Sequence, residues 1–517
     1  MPVPTPADFD HLSELVAISD AAARSASTIS EVFTGRPLGV APIGTADDVR
    51  AAVAEARAAQ ADWAARPVRE RAAVLERYRN MVLDHRDFLM DVVQAETGKA
   101  RWTAQEECLG VIAVARYYAR HAPKILRPYR VRGPLPLVTK SVVHHHPCGV
   151  VGVIAPWNYP MFLAIGDALP ALVAGNAVVL KPAGRTPFSA LANAELLYCA
   201  GLPRELFAVV PGAGEVVGAA LVDTCDYLMF TGSAATGRQL AQRCGQRLVA
   251  FSAELGGKNP MIVTEGANLA KAAKVARRAC FGNAGQLCLS VERIYVERRV
   301  AEEFTAKFVA ATESMVLAAG YDFRADMGSL ASTDQLETVT KHLADAKSKG
   351  AEVRTGGNPR PDIGPLFFEP TVLTGVTDQM ECARHETFGP LVSIYPVADV
   401  DEAVARANDT DYGLSASIFA ESPAYGETIA VRLRSGAVNV GEGYLPAAAS
   451  PGAPMGGMGS SGIGRRHGPA GLLKYTEPQT VATTRVIDLD APPAIASARW
   501  RGLEAPLAQL ISRLPGR

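Results

Sequence analysis

The chain of 517 residues has little net charge and no long apolar run. With 52 basic and 53 acidic residues, it has no overall field to attract a polyanion, so nucleic acid is not an expected partner. Its apolar stretches, such as 148–156 and 176–180, stop well short of the roughly 20 residues that a membrane span needs. The N-terminal segment lacks the basic-then-apolar pattern of a signal peptide. We therefore expect a cytoplasmic protein with no membrane partner.

The eight cysteines are scattered along the chain and include no Cys-x-x-Cys pair. This distribution excludes a disulfide framework and argues against a zinc site. Free cysteines usually pack as small hydrophobes, so most of the eight need no functional explanation. The histidines at 144–146 do not favour a metal site, because neighbours along a strand point to opposite faces and no further ligand follows at a suitable spacing. We predict no metal.

The order of apolar runs and helical segments predicts an α/β fold. Residues 46–125 have the spacing of amphipathic helices, and Thr45 or Asp47 can cap the first of them. From 148 to about 260, short apolar runs alternate with helical stretches, which is typical of βαβ units on a parallel sheet. After Pro260 a second series begins and continues to about 450. Ligands of such sheets bind beyond the carboxyl ends of the strands.

Three segments fall outside this alternation. Residues 126–147 carry Pro and Gly around short β-branched runs, which predicts an extended hairpin. The glycine-rich run at 452–464 lacks the Lys-Ser/Thr ending of a phosphate-binding loop. The tail at 496–514 has modest amphipathic character, which suits packing on the body or on a partner subunit, with weak membrane contact as a remote alternative.

Four motifs follow one another in the chain: IAPWNYP at 154–160, FTGSAATG at 230–237, ELGGKNP at 254–260 and GNAGQLC at 282–288. Each motif alone is a weak signal. Together, in this order and at this spacing, they resemble the aldehyde dehydrogenase superfamily. The resemblance runs from roughly residue 30 to 490, and the chain looks most similar to the actinobacterial NADP-dependent succinate-semialdehyde dehydrogenases.

The resemblance implies three catalytic residues: Cys288 as nucleophile, Glu254 as general base, and Asn158 as oxyanion donor together with the Cys288 amide. The chemistry needs these groups. A thiolate adds to the aldehyde carbon, a carboxylate activates the water that hydrolyses the thioester, and each oxyanion donor contributes about 3 to 4 kcal/mol. Taken singly, they have plain alternatives as a core thiol, a loop carboxylate and a turn residue.

The resemblance also implies a nucleotide site. Lys181 closes an apolar strand and is expected at the adenosine ribose, while Gly232 and Ser233 open a helix whose N-terminus favours phosphate. Glu386 is expected at the nicotinamide ribose and Phe388 beside the ring. The remaining residues expected to contact the cofactor are Ala155, Pro156, Trp157, Ala183, Gly184, Arg185, Thr231 and Leu255.

One departure from the family bears on the choice of cofactor. Many NAD-preferring relatives carry a glutamate directly after the KPA or KPS motif, whereas this chain has Gly184 followed by Arg185. Losing a carboxylate that would repel a 2′-phosphate, with a guanidinium nearby, favours NADP, although NAD is also possible. The alternative is that Arg185 simply faces solvent.

The substrate is less well determined. Better-studied succinate-semialdehyde dehydrogenases hold the substrate carboxylate with arginines at positions that are Gly282 and Gly166 here. A carboxylate would then have to be held elsewhere, and a pocket with these glycines equally suits apolar or aromatic aldehydes. The residues expected near the substrate are Tyr159, Leu287, Ser460 and Arg465, with Arg466, Ser461 and the backbone amides of the glycine run as further candidates.

We therefore predict NAD(P)-dependent oxidation of an aldehyde, with succinate semialdehyde as the first substrate and apolar or aromatic aldehydes as the second. A thiol esterase and a non-catalytic paralogue are remote alternatives. The chain is expected to form a homodimer or homotetramer. The predicted segments are a cofactor-binding domain (1–125 and 148–259), a catalytic domain (260–450), an oligomerisation arm (126–147 and 474–490), a substrate-side loop (451–473) and a C-terminal tail (491–517).

Overall fold

The computed structural model describes residues 5–132 and 139–484, together with three positions of the tail, Gly502, Pro506 and Gln509. The strands are β1 (Ala26–Ser30), β2 (Pro37–Pro42), β3 (Tyr129–Val131), β4 (Thr139–Pro147), β5 (Val150–Ile154), β6 (Ala177–Lys181), β7 (Phe207–Val209), β8 (Tyr227–Thr231), β9 (Ala250–Glu254), β10 (Asn259–Val263), β11 (Val291–Glu297), β12 (Glu352–Thr355), β13 (Thr371–Thr374), β14 (Leu391–Val397), β15 (Ser415–Phe419), β16 (Ala437–Val440), β17 (Gly462–Ile463) and β18 (Thr476–Thr484).

The α-helices are α1 (Ala7–Asp10), α2 (Ala46–Ala65), α3 (Val68–Asp84), α4 (Arg86–Thr97), α5 (Arg101–Ile125), α6 (Pro160–Ala174), α7 (Pro187–Cys199), α8 (Ala219–Thr224), α9 (Ala234–Arg247), α10 (Leu269–Phe281), α11 (Arg298–Glu313), α12 (Thr333–Ser348), α13 (Glu381–Arg384), α14 (Val400–Asn408), α15 (Pro423–Ala430), α16 (Leu445–Ala448) and α17 (Gly468–Leu473). None of the described helices is both long and apolar enough to cross a membrane. Thr45 caps α2, as predicted, by accepting a hydrogen bond from the Asp48 amide.

The first sheet has the strand order β17-β9-β8-β5-β6-β7. Strands β5 to β9 run parallel, and β5, β6 and β8 are buried along their whole length, which explains their unbroken apolar sequences. Helices α2 and α6 pack against this sheet. The parallel order brings the carboxyl ends of β9, β8, β5 and β6 side by side, and these ends carry the motif residues.

The second sheet has the order β12-β13-β14-β11-β10-β15-β16. All neighbours in it are parallel except β12 and β13. Helices α10, α11 and α14 pack on it around a separate apolar core. The α/β class predicted from the sequence is therefore confirmed, with two parallel sheets.

The predicted hairpin and the strand near the C-terminus form a third, antiparallel sheet with the order β18-β4-β3. Strand β18 pairs with β4 of its own chain, from Thr476 opposite Pro147 to Thr484 opposite Thr139. Its other edge has no partner among the described residues, and the strand is exposed along nearly all of its length. Residues 133–138 and 485–490 of the predicted arm lie outside the described residues.

The glycine-rich segment is more regular than the sequence suggests. Within the predicted loop 451–473, strand β17 adds antiparallel to β9, with Gly462 opposite Glu254. Because β9 ends at the predicted general base, this segment forms one wall of the region around Glu254.

Candidate active site

Cys288 follows a tight turn at the end of helix α10. Asn283, Ala284 and Gly285 all adopt positive φ in this turn. A Cβ on Gly285 would lie 2.1 Å from the carbonyl oxygen of Gly389, so only glycine fits there. The Cys288 carbonyl accepts a hydrogen bond from the Asn259 side chain at 2.7 Å, which fixes the loop to the start of β10.

The Cys288 side chain lines a cavity of about 360 Å³. The wall of this cavity is mostly aliphatic and aromatic. It is formed by Leu109, Gly110, Ala113, Val114, Tyr159, Phe162, Leu163, Leu287, Leu289, Tyr444, Leu445, Ala448, Ala449, Pro451 and Met455, with Glu106 and Arg466 as its charged members.

Burial of the thiol favours its neutral form. Burial raises the pKa of Cys288 to about 12, although the Arg466 guanidinium lowers it, and the carboxyl groups of Glu386 and Glu254 add smaller increases. The thiol therefore needs a base or a new positive charge before it can attack.

Glu254 has the properties of such a base. It ends β9 and is 5% exposed, and burial raises its pKa to about 7 despite the neighbouring Arg466 guanidinium. A carboxylate with this pKa accepts protons readily near neutral pH. A Cβ on Gly456 would lie 2.9 Å from Glu254 Oε1, so the glycine-rich segment packs tightly against the base.

Arg466 belongs to a buried charge cluster next to Glu254. Its guanidinium donates to Asp167 at 2.7 Å and to the Thr231 hydroxyl at 3.1 Å. Lys474 approaches Asp167 from the other side at 3.6 Å. The cluster therefore places a guanidinium that lowers the pKa of both Glu254 and Cys288.

Asn158 is held on both its main chain and its side chain. Its carbonyl accepts from Lys99 at 2.7 Å and from Asn283 at 3.1 Å, while its side-chain amide donates to the Gln286 carbonyl at 3.0 Å. Lys99 pairs in turn with buried Glu107. These bonds tie the loop after β5 to the cysteine loop.

The predicted nucleotide residues cluster at the carboxyl ends of β5, β6 and β8. Ala155, Pro156 and Trp157 follow β5, Lys181 ends β6, and Thr231 ends β8 with Gly232 after it. Ser233 caps α9 by accepting from the Thr236 amide at 3.2 Å, so the N-terminus of that helix opens at this edge. Leu255 follows β9 at the same edge and packs close to Gly237 of α9.

Gly184 and Arg185 lie in the loop after β6, with Ala183 before them. A Cβ on Gly184 would meet no atom within 4 Å, so the position opens into free space. Arg185 does not simply face solvent, because it donates to the Ala331 carbonyl at 3.1 Å and lies 5.6 Å from the Trp157 ring centre. It is therefore pre-ordered beside the open position.

The loop that carries Glu386 and Phe388 is also fixed by a buried ion pair. Glu292 pairs with Lys258 and accepts from the Thr387 and Phe388 amides. Glu386 accepts from the Gly257 amide at 2.9 Å, and burial raises its pKa to about 8. Phe388 meets Trp157 edge to face at 5.7 Å, so the two rings connect this loop to the segment after β5.

The residues predicted near the substrate divide into two groups. Tyr159 and Leu287 line the cavity beside Cys288. Ser460 lies away from it, because its hydroxyl accepts from Arg238 and lines a different depression. Arg465 is not a cavity residue either, since its guanidinium donates to the carbonyls of Gly457 and Gly464. The structure thus places the last two apart from the predicted substrate contact.

The two glycines at the expected arginine positions have different surroundings. A Cβ on Gly282 would lie 3.1 Å from the Tyr444 hydroxyl and 3.3 Å from the Trp102 ring, so these side chains take up that space. A Cβ on Gly166 would meet only Phe162, at 3.7 Å, which is an ordinary contact.

Sequence reasoning missed two polar residues of the cavity, Glu106 and Tyr444. Glu106 shares a face of α5 with Leu109, Gly110 and Ala113, which are three, four and seven positions further on. A carboxylate on this otherwise apolar face was the available signal. Tyr444 had no such signal in the sequence, because this residue lies 338 positions from Glu106 along the chain.

Comparison with known proteins agrees with this arrangement. The profile of the aldehyde dehydrogenase family matches residues 18–481. The chain is 65% identical over its full length to a Mycolicibacterium smegmatis protein named "Putative succinate-semialdehyde dehydrogenase (NADP+)", which it covers completely. It is 35% identical to the Escherichia coli succinate-semialdehyde dehydrogenase (NADP+) GabD over 461 residues, or 89% of this chain and 94% of that one.

Solved structures show the same fold. An E. coli NADP-dependent enzyme superposes with a TM-score of 0.86 at 34% identity, covering 89% of this chain and 95% of that chain. A Mycobacterium tuberculosis aldehyde dehydrogenase complexed with NAD+ superposes with a TM-score of 0.84 at 34% identity, covering 90% and 95%. The chain is therefore an oxidoreductase that belongs to the aldehyde dehydrogenase family.

Proposed function

We propose that the protein oxidises an aldehyde to a carboxylate with NADP, using Cys288 as the nucleophile and Glu254 as the general base. The observation that carries the proposal is the position of Cys288. Its thiol lines a largely apolar cavity, with the Asn158 loop tied to the cysteine loop and buried Glu254 close enough to influence its pKa.

The chain's own residues supply the following steps. Glu254 takes the proton of the Cys288 thiol and later releases it to solvent, and the sulfur bonds to the aldehyde carbon while the carbonyl oxygen becomes an oxyanion. Asn158 and the Cys288 amide stabilise that oxyanion. After hydride loss, the substrate is a thioester of Cys288. Glu254 takes a proton from water, the water oxygen bonds to the thioester carbon, and the carbon–sulfur bond breaks to release the acid.

The residues at the carboxyl ends of β5, β6 and β8 fit a dinucleotide. The start of α9, with Ser233, suits the pyrophosphate, and Lys181 ends β6 on the other side of β5 from β8. The free space at Gly184 beside Arg185 suits a 2′-phosphate, because no carboxylate there would repel it. The nicotinamide, when bound, supplies the hydride acceptor. Names of relatives that specify NADP support this choice, and an NAD+ complex of a structural neighbour supports NAD as a second cofactor.

We propose succinate semialdehyde as the substrate, because relatives at 65% and 35% identity carry that name. The cavity wall favours a second candidate, a longer apolar or aromatic aldehyde, since aliphatic and aromatic side chains dominate it. These two classes are not exclusive for one enzyme, and the ratio of their kcat/KM values ranks them.

A steady-state screen tests the whole proposal. Succinate semialdehyde, hexanal and benzaldehyde are each tested with NADP and with NAD, and reduced cofactor is followed by absorbance. Cys288→Ser is the variant, and Cys382→Ser is a control at a buried thiol in the apolar core of the second sheet. We expect activity in the wild type and in the control but not in Cys288→Ser. Full dehydrogenase activity in Cys288→Ser would overturn the mechanism, and robust esterase turnover without any reduced cofactor would favour a thiol hydrolase.

We further propose a cytoplasmic homo-oligomer, either a dimer or a tetramer. A nucleophilic thiol must stay reduced, which favours a reducing compartment. The exposed edge strand β18 offers unpaired backbone groups to a second copy of the chain. Light scattering of the purified protein tests this, and a monomer at micromolar concentration would contradict it.

A further inference from the structure

A small polar cluster interrupts the apolar wall of the substrate cavity. It consists of Glu106 on α5, Tyr159 at the start of α6 and Tyr444 before α16, and all three line the cavity with Cys288. The mechanism described above uses none of these side chains. Their placement beside the reacting thiol therefore calls for a different explanation.

The cluster contains one spare hydrogen-bond donor and one carboxyl group. The Tyr444 hydroxyl donates to Glu106 Oε2 at 3.1 Å. The Tyr159 hydroxyl is buried and has no hydrogen-bond partner among the described residues, although its side chain is only 6% exposed. A buried hydroxyl without a partner costs free energy unless a ligand or water completes its bonding.

The ring of Tyr159 is held firmly. The Lys99 ammonium lies 3.9 Å from the ring centre, and Lys99 is itself fixed by Glu107 and by the Asn158 carbonyl. Burial raises the pKa of Tyr159 far above its ordinary value, so its hydroxyl keeps its proton. It is therefore a pre-positioned donor rather than a mobile group.

The charged groups that face Glu106 are Arg278 from α10, Lys99 from the segment before α5, and Glu107 from α5 itself. Arg278 is engaged with Glu442 at 2.7 Å, and Lys99 is engaged with Glu107. Burial raises the pKa of Glu106 to about 7, against the opposing effects of the Tyr444 hydroxyl and the two cations. Near neutral pH the carboxyl group therefore exists in both forms.

Arg466 also lines the cavity, but its guanidinium is not available to bind a substrate group near Glu106. Its guanidinium is bonded to Asp167 and to the Thr231 hydroxyl, and it influences the pKa of both Glu254 and Cys288. It therefore serves the reacting end of the cavity.

We propose that Glu106, Tyr159 and Tyr444 form the subsite for the distal carboxylate of a short aldehyde acid, with one proton shared between that carboxylate and Glu106. This inference rests on the proposed aldehyde oxidation. The Tyr159 hydroxyl donates to one substrate oxygen. The carboxyl group of Glu106 donates its proton to the other, while Tyr444 bonds to the second Glu106 oxygen. At alkaline pH the enzyme must take up that proton from solvent when the substrate binds.

The test compares an acidic substrate with a neutral one as the pH is changed. The kcat/KM values of wild-type enzyme are measured for succinate semialdehyde and for pentanal with saturating NADP, from pH 6 to 9. Ionisation of Cys288 and Glu254 affects both substrates, so it cancels in the ratio of the two values. We expect the ratio of succinate semialdehyde to pentanal to fall about 50-fold between pH 7 and pH 9, as Glu106 ionises.

Two variants and one control identify the groups responsible. Glu106→Gln keeps a donor but cannot ionise, so its ratio should be independent of pH. Tyr159→Phe should lower the ratio about tenfold at pH 7, because it removes a donor that only the acidic substrate uses. Tyr395→Phe alters a buried tyrosine of strand β14, remote from the cavity, and should leave both ratio and pH profile unchanged.

The possible outcomes distinguish a failure of the proposed subsite from a failure of the proposed function. A ratio independent of pH in the wild type, or one unchanged by Tyr159→Phe, would overturn the subsite while pentanal oxidation still supports the proposed function. If the enzyme oxidises neither aldehyde, the proposed function fails and the subsite with it. The wild-type pH profile requires no variant, so a misfolded Glu106→Gln protein would not prevent a decision.

Discussion

Replacing Gly184 with glutamate should shift the preference of the enzyme from NADP toward NAD. The structure permits the change, because a Cβ at this position meets no atom within 4 Å and the residue is exposed. The new carboxylate would lie beside Arg185, which is already engaged with the Ala331 carbonyl. It would therefore both repel a 2′-phosphate and draw Arg185 away from it.

The expected size follows from Coulomb's law. Two like unit charges about 6 Å apart repel by about 3 kcal/mol at an effective dielectric constant near 20. Solvent at this exposed position screens about half of that, which leaves about 1.5 kcal/mol, or roughly a tenfold change. The ratio of kcat/KM for NADP to that for NAD should thus fall about tenfold in Gly184→Glu, and more at low ionic strength.

The assay measures kcat/KM for both cofactors at a saturating aldehyde concentration, at low and at high salt. Gly184→Gln is the matched control, because it adds nearly the same volume without charge. An unchanged ratio in Gly184→Glu, or an equal fall in Gly184→Gln, would refute the electrostatic explanation.

Two further substitutions test how the site is held in place, and a pH dependence tests the general base. Lys99→Met leaves Glu107 buried without its partner and should lower the free energy of unfolding by about 3 to 5 kcal/mol, as measured by urea denaturation. Gly285→Ala places a Cβ 2.1 Å from the Gly389 carbonyl oxygen at a φ of 73°, and should cost about 2 kcal/mol or more in the same assay. Because Glu254 must be ionised to take a proton from water and its pKa is about 7, thioester hydrolysis in single turnovers should slow toward tenfold per pH unit below pH 7. Stability that is unaffected by the first two changes, or a hydrolysis rate that is flat from pH 5 to 7, would contradict them.

Local sequence patterns predicted the elements that place the catalytic residues. The unbroken apolar runs of β5, β6 and β8 indicated buried parallel strands, because such strands need no polar face. Motif residues directly after these runs were therefore expected at one edge of a sheet, and Lys181 and Thr231 do end the two strands that flank β5. The α/β class and the family assignment are confirmed. The roles of Cys288, Glu254 and Asn158 stay predictions.

Contacts between distant parts of the chain were not predictable in the same way. Strand β17 is only two residues long in a glycine-rich segment, and its pairing with β9 depends on tertiary packing rather than on periodicity. The same holds for Ser460 and Arg465, whose side chains are drawn to Arg238 and to backbone carbonyls instead of the cavity. A sequence motif indicates which loop a residue occupies but not which neighbour its side chain finds.

Three buried ion pairs show why the active-site loops keep their positions without regular structure. Lys99 with Glu107, Lys258 with Glu292, and Arg466 with Asp167 each lie in the interior. The free energy needed to remove two charges from water offsets much of their attraction, so such pairs contribute little net stability. What each pair does provide is directed hydrogen bonds with a neighbouring segment of the site: with the Asn158 carbonyl, with the amides of Thr387 and Phe388, and with the Thr231 hydroxyl at the end of β8. Breaking one pair would leave a buried charge without its partner. Each of these segments therefore has one strongly preferred position, and the reacting groups are ordered before any substrate binds.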